Sequence, residues 1–180
     1  MGFREFNKAM VMLWRLGLGR AVNVSPSVGG RILVLTTTGR KSGLPRRTPL
    51  NFHRDGDEVF VLAGYGASSD WYRNLQATRE AEVWLPDGRW RVRARPLRKD
   101  RLARLRQVLV DSGFAAPMFA GIWPRSASDE DLARGTEAFE VVRLTLVEKM
   151  PGSPADLRWV WGAALGAAAG VAVARRVFRW

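Results

Sequence analysis

Cysteine is absent from the 180 residues, histidine occurs once and tyrosine twice. Without cysteine there is no disulfide, no thiolate metal ligand and no thiol nucleophile, which fits a reducing compartment. A lone histidine, His53, excludes a histidine-rich metal site. Acid is scarce too: 17 Asp and Glu face 29 Lys and Arg, a formal net charge of +12. Such a field attracts phosphates, acidic cofactors, nucleic acid or an anionic membrane, and by itself does not choose among them. The arginines are scattered over several elements and no nucleic-acid motif occurs, so nucleic acid is not expected as a partner. Arg15 interrupts the apolar run from Ala9 to Leu16 and no small-residue cleavage pattern follows, so the amino end does not read as a secretion signal. The expectation is a cytoplasmic start.

What is present is mostly strand pattern. Phe3, Phe6, Met10 and Leu13 recur at helical spacing, with Arg4, Lys8 and Arg15 on another side, so residues 3–16 are expected to form an amphipathic helix that Gly17 and Gly19 end. Residues 21–30 read as a connector. Strands are expected near 31–38, 46–53, 57–63, 80–85, 89–95 and 139–147, separated by turn signals such as Asp55-Gly56 and Asp87-Gly88. Six short strands in hairpin order predict a mainly β fold, a small β-barrel with flanking helices, because closure removes the exposed edges. Ser69 or Asp70 can cap a short helix beginning at Trp71. A second helix, 100–111, is expected to be capped by Asp100 and to bury Leu102, Leu105, Val108 and Leu109. The stretch 113–127, with Phe114, Pro117, Met118, Phe119, Trp123 and Pro124, reads as a lid over a pocket or as packing beneath the barrel. Ser128 and Asp131 form a small capping box opening one helical turn. In the last strand Val142, Leu144 and Leu146 share a side. Pro151-Gly-Ser-Pro154 then divides the chain into a barrel domain, 1–150, and a linker with a hydrophobic helix, 151–180.

The stretch around which these elements gather is the loop after the first strand. Gly39 and Gly43 bracket Arg40, Lys41 and Ser42, so backbone N–H groups can approach a ligand while two cations and a hydroxyl point the same way. Such a loop favours an anion, most simply a phosphate; the plainer alternative is a basic hairpin tip that keeps a strand edge soluble.

The tail is different in kind. Trp159 to Ala174 holds no charge, with Arg158 before it and Arg175, Arg176 and Arg179 after it. Sixteen residues in a helix reach about 24 Å, short of the roughly 30 Å hydrocarbon core of a bilayer. Trp159, Trp161 and Trp180 suit membrane interfaces, and Gly162, Gly166 and Gly170 repeat every four residues, as in close-packed membrane helices. The expectation is a membrane anchor on the cytoplasmic face, either spanning the bilayer or lying in its surface.

The run Leu35-Thr-Thr-Thr-Gly-Arg-Lys-Ser-Gly-Leu-Pro-Arg-Arg-Thr-Pro-Leu50, followed by Val61-Leu-Ala-Gly64 and Asp70-Trp-Tyr-Arg-Asn-Leu75, resembles the deazaflavin-dependent nitroreductase and quinone reductase family of actinobacteria. The resemblance implies a split β-barrel akin to the FMN-binding split barrels, and hydride transfer from reduced coenzyme F420 to an acceptor such as a quinone or a nitroaromatic compound. By the same resemblance Arg40, Lys41 and Ser42, with Arg46, Arg47, Thr48, Pro49, Leu50 and Asn51, hold the acidic tail and phosphate of F420. Leu62, Ala63, Gly64 and Tyr65 lie beside the deazaflavin ring, and Asp70, Trp71, Tyr72, Arg73 and Asn74 surround the ring and its phosphate. Members of the family often have serine where Gly64 stands and proline just before the tryptophan helix, where this chain has Ser69-Asp70. A carboxylate at Asp70 could repel a polyanionic cofactor or cap the helix. Related split barrels use FMN, FAD or haem and often pair as homodimers through the sheet. A non-catalytic, membrane-tethered lipid or cofactor carrier is the remaining alternative. Hydride transfer from a bound cofactor asks the protein mainly for position and electrostatics, so no catalytic residue is named. Tyr65, Tyr72 and Ser42 are the side chains that could orient an acceptor, Trp71 could wall the ring, and His53 reads as a satisfied strand residue.

Overall fold

The computed structural model describes residues 3–23, 30–114 and 121–164. Helix α1 (Phe3–Arg15) is followed by strands β1 (Ile32–Thr38), β2 (Pro45–Asp55) and β3 (Glu58–Ala63), then by helix α2 (Asp70–Ala77), β4 (Glu80–Leu85) and β5 (Gly88–Pro96). Helices α3 (Arg101–Asp111) and α4 (Asp129–Gly135) precede the last strand, β6 (Glu140–Met150). The strands close into an antiparallel barrel in the order β1-β2-β3-β6-β5-β4. Each expected strand is present to within a few residues at its ends.

Alternation explains the barrel's two surfaces. On β1, Leu33 and Leu35 point inward and join Phe52, Val59, Val61, Val83, Leu85, Val92, Val142, Leu144 and Leu146 in the central core. Ile32 and Val34 point outward yet are equally buried, because Met10 and Trp14 of α1 pack on them together with Trp84. On the opposite wall Leu105 and Leu109 of α3 and Leu132 of α4 cover Val141, with Leu62 and Phe139 at the margin. The strands therefore read as near-continuous apolar runs wherever a helix lies outside them.

Two local expectations are corrected and a third is narrowed. Asp100 precedes α3 but sits at φ 57° and makes no side-chain cap bond, so the left-handed backbone turns its carboxylate away from the helix's free N–H groups. The Ser128 box opens seven residues of helix rather than one turn, with Ser128 Oγ accepting from the Asp131 N–H at 3.0 Å. In the stretch read as a lid or as packing, Ile122 packs against the cluster of α3, α4 and β6, which is the second alternative; Pro117, Met118 and Phe119 lie outside the described residues.

The boundary after β6 is not a free linker. Arg15 donates to Asp156 from Nε at 2.9 Å and from Nη2 at 2.8 Å, the Leu157 N–H donates to the Arg15 carbonyl, and the Trp161 indole donates to the Leu16 carbonyl at 2.9 Å. The start of the tail is thereby fastened to the end of α1. Among the described residues no helix is long and apolar enough to cross a membrane; the tail's residues 165–180, with Gly166, Gly170 and Trp180, lie outside them.

Candidate functional site

One end of the barrel is formed where β1, β3 and β5 finish and β2, β4 and β6 begin, and α2 lies in that mouth. Trp71, Tyr72 and Leu75 of α2 enter the barrel core, so the mouth is plugged rather than hollow. The Trp71 and Tyr72 rings meet edge to face, 6.2 Å between centroids and 88° between planes. This packing fixes α2, and α2 in turn fixes the basic loop.

The link is Asn74, only 4% exposed. Its Nδ2 donates to Thr37 Oγ1 at 3.1 Å, and its Oδ1 accepts both the Arg40 main-chain N–H at 3.1 Å and Arg40 Nη1 at 3.2 Å. Asp70, in the first turn of α2, takes the same Nη1 at 2.9 Å. Ser69 occupies the cap position without a side-chain cap bond, so Asp70 serves as an ion-pair partner of Arg40. The loop has its own skeleton: the Gly39 N–H donates to the Leu44 carbonyl at 2.9 Å and the Gly43 N–H to the Gly39 carbonyl at 2.7 Å. Gly43 has φ 67°, which only glycine adopts at little cost. Ser42 Oγ accepts from Arg46 Nη2 at 3.4 Å. Lys41 and Arg46 are exposed and have no carboxylate within ion-pair distance among the described residues.

The strand that follows divides the block 46–51. Leu50 packs against the barrel core and Pro49 is buried on the other face, so alternation sends Arg46, Thr48 and Leu50 one way and Arg47, Pro49 and Asn51 the other. Arg47 lies over the Trp84 ring at 5.0 Å, on the outer wall, beside Glu82. Asn51 donates to the Arg31 carbonyl at 3.3 Å, six residues and roughly 20 Å along the strand from Pro45. The structure thus brings Arg40, Lys41, Ser42 and Arg46 together with Asp70 and Asn74, and holds Arg47 and Asn51 apart from them.

In the third segment Ala63 faces the core, Leu62 packs outward against α3 and α4, and Gly64 and Tyr65 are exposed, Tyr65 to 67%. A Cβ at Gly64 would meet only Phe139 Cζ, at 3.9 Å, so serine fits there without strain. Arg73 is exposed and donates to the Ala67 carbonyl at 2.7 Å, bracing the turn before α2. Burial first, then the neighbouring Glu140 carboxylate, pushes the Tyr72 phenol above its usual range, against opposing effects of Gln76 and Arg98. Tyr72 therefore keeps its proton near neutral pH. His53 lies elsewhere, with Nδ1 2.8 Å from Asp111 Oδ2. Thr37 and Glu140 were not expected at this end. The signal for Thr37 was its period of two with Leu33 and Leu35; Glu140 is placed by its register opposite Ala63.

Residues 8–116 match the family model described as F420H(2)-dependent quinone reductase. The chain belongs to that family. Two F420H(2)-dependent quinone reductases, from Mycobacterium tuberculosis and, named as putative, from Mycobacterium bovis, are each 40% identical over 68 residues, 36% of this chain and 46% of theirs. The chain thus spans about half the length of the curated relatives it matches. Among solved structures, an F420-H2 dependent reductase aligns at 21% identity over 63% of this chain and 92% of its own, with a TM-score of 0.45. A haem storage protein of Vibrio cholerae aligns at 16% over 72% and 87%, TM-score 0.43. These two likenesses decide neither cofactor nor activity.

Proposed function

We propose that this family member transfers a hydride from reduced coenzyme F420 to a quinone, with the acidic end of the cofactor held by Arg40, Lys41, Ser42 and Arg46. The observation that carries this reading is the pre-set Arg40, pinned at the barrel mouth by a buried asparagine beside Lys41 and Arg46, which have no carboxylate within ion-pair distance among the described residues. A phosphodiester and a glutamate tail need that sign of charge, and arginine takes phosphate or carboxylate through paired N–H donors. The residues present fit the tail. The ring is assigned to the outside of the mouth, because Trp71, Tyr72 and Leu75 fill the barrel end and the cleft beside Tyr72, Leu75 and Gln76 has a cavity of about 10 Å³, room for about one water molecule. In this reading the exposed turn Gly64-Tyr65 and the first turn of α2 hold the ring.

When bound, reduced F420 supplies the hydride, and a quinone that accepts it also takes up a proton. This chain's own part is to orient both molecules at the mouth, where Trp71 and Tyr72 keep the floor rigid. Anaerobic mixing of reduced F420 with menaquinone in lipid vesicles tests the activity: the F420 absorbance returns if the reading holds. Binding without oxidation by any acceptor would support a carrier instead. A flavin or haem spectrum in the purified protein would replace F420 itself.

The same reading puts the protein against the cytoplasmic face of a membrane, where a lipid-dissolved quinone resides. Its support is that two elements tied together each expose large apolar side chains: Phe6 and Met12 on α1, Trp159 and Trp161 on the tail. Tryptophan at such a position suits the headgroup region, and the net positive charge favours anionic lipid. Loss of residues 157–180 with no change in partition between lipid and solution would contradict this placement.

A further inference from the structure

We propose that Asp70 is a built-in competitor for the anion that Arg40 binds, so that one carboxylate sets how tightly the loop takes an acidic cofactor. The inference rests on the cofactor reading above and deepens it. The Arg40 guanidinium is held from two sides that are not equal. On the inner side stands Asn74, buried and itself fixed through Thr37. On the outer side stands Asp70, whose side chain is 83% exposed against 26% for Arg40. Inner support survives if the outer partner leaves, because Asn74 also holds the Arg40 main-chain N–H.

The outer contact has the chemistry of the expected ligand: a carboxylate oxygen receiving a guanidinium N–H. Among the described residues Asp70 is the carboxylate within ion-pair distance of Arg40, and Lys41, Arg46 and Arg47 have none. Its place in the first turn of α2 is favourable for a negative charge, so the competitor is kept where an incoming phosphate or carboxylate would also gain from the helix end. An arriving anion has to displace Asp70 or share Arg40 with it, and either way works against a negative charge already there. Exposure makes the exchange easy, since an ion pair open to water is worth only a severalfold change in an equilibrium constant.

The test is titration with F420, read by cofactor fluorescence, for the wild type, Asp70→Asn, Asp70→Ser and Asp70→Glu, with the melting of each variant measured alone. The neutral variants are expected to bind roughly two- to fivefold tighter at low salt, with the gain shrinking as salt is raised. Asp70→Glu is expected to stay at the wild-type affinity. Equal or weaker binding by the neutral variants overturns the inference; weaker binding would make Asp70 a positioning residue for Arg40. A wild type that binds no F420 removes the cofactor reading instead. Inorganic pyrophosphate then serves as the probe, and its shift of the melting temperature must still be larger in the neutral variants, or the competitor reading falls as well.

Discussion

On β5 three of the four outward arginines meet acids across the sheet, Arg89 with Glu82 at 2.7 Å, Arg91 with Glu148 at 2.8 Å and Arg93 with Glu80 at 3.7 Å, while Arg95 stands opposite Arg143. In the stretch 40–47 one of the four cations, Arg40, has a carboxylate within ion-pair distance, Asp70, whereas Lys41, Arg46 and Arg47 are exposed and have none among the described residues. The two stretches look alike in composition and differ in what stands opposite. Alternation supplies β5 with partners, because Glu80 of β4 lies in register with Arg93, Glu148 of β6 lies in register with Arg91, and Glu82 of β4 is the diagonal neighbour of Arg89. A loop has no such register, and its charge stays available. Net charge alone therefore says little about where an anion binds; the unpaired share of it says more.

Substitutions can break this contrast. The largest effect is expected from Arg40→Ala, which removes a charged donor from the loop: F420 affinity should fall by ten- to a hundredfold, from the roughly 1.5–3 kcal/mol of hydrogen bonds to charged groups. Fluorescence titration reads it. Next comes Asn74→Ala. It leaves Thr37 and the loop without their buried partner and is expected to cost about 1–3 kcal/mol in urea unfolding, together with a loss of affinity that Arg40 itself has not caused.

The paired side of the comparison responds to pH. Burial alone would raise the Glu82 carboxyl, but the hydrogen bonds from Arg89 and from the Trp84 indole outweigh it and hold the group below its usual range. A depressed folded value means that the stabilisation is complete above the ordinary glutamate value of 4.5 and is lost as pH falls through the folded one. Glu82→Gln should therefore lower the stability at neutral pH by on the order of 1 kcal/mol, read as a lower melting temperature, and flatten the loss of stability on the acid side. Arg93→Ala is expected to do least. Both members of its pair are exposed, so stability should change by less than about 0.5 kcal/mol and F420 affinity hardly at all.

Much of the fold could be read from period and punctuation. The β-branched run in 31–38, the alternation in 139–147 and the Asp-Gly turns between strands placed the hairpins of the barrel, whereas the pairings of β3 with β6 and of β1 with β4 join strands that are not neighbours in sequence. What the sequence did not show depends on distant partners. Asn74 meets Arg40 and Thr37 across 34 and 37 residues, so its role as a brace beneath the loop rather than an exposed contact appears only once α2 enters the mouth. The tie between Arg15 and Asp156 spans 141 residues. The separation of Arg46 from Arg47 was available from period two, yet a contiguous motif conceals it. Asp100 had the right residue type for a cap, and its backbone conformation removed the function.

The most direct test of the central claim is F420 titration of the wild type, Arg40→Ala and Arg93→Ala side by side, at low and at raised salt. Binding that is salt-sensitive, lost with Arg40 and kept without Arg93 is the predicted result. No binding by the wild type, or equal loss in both variants, would contradict the assignment of the unpaired loop as the cofactor's cradle.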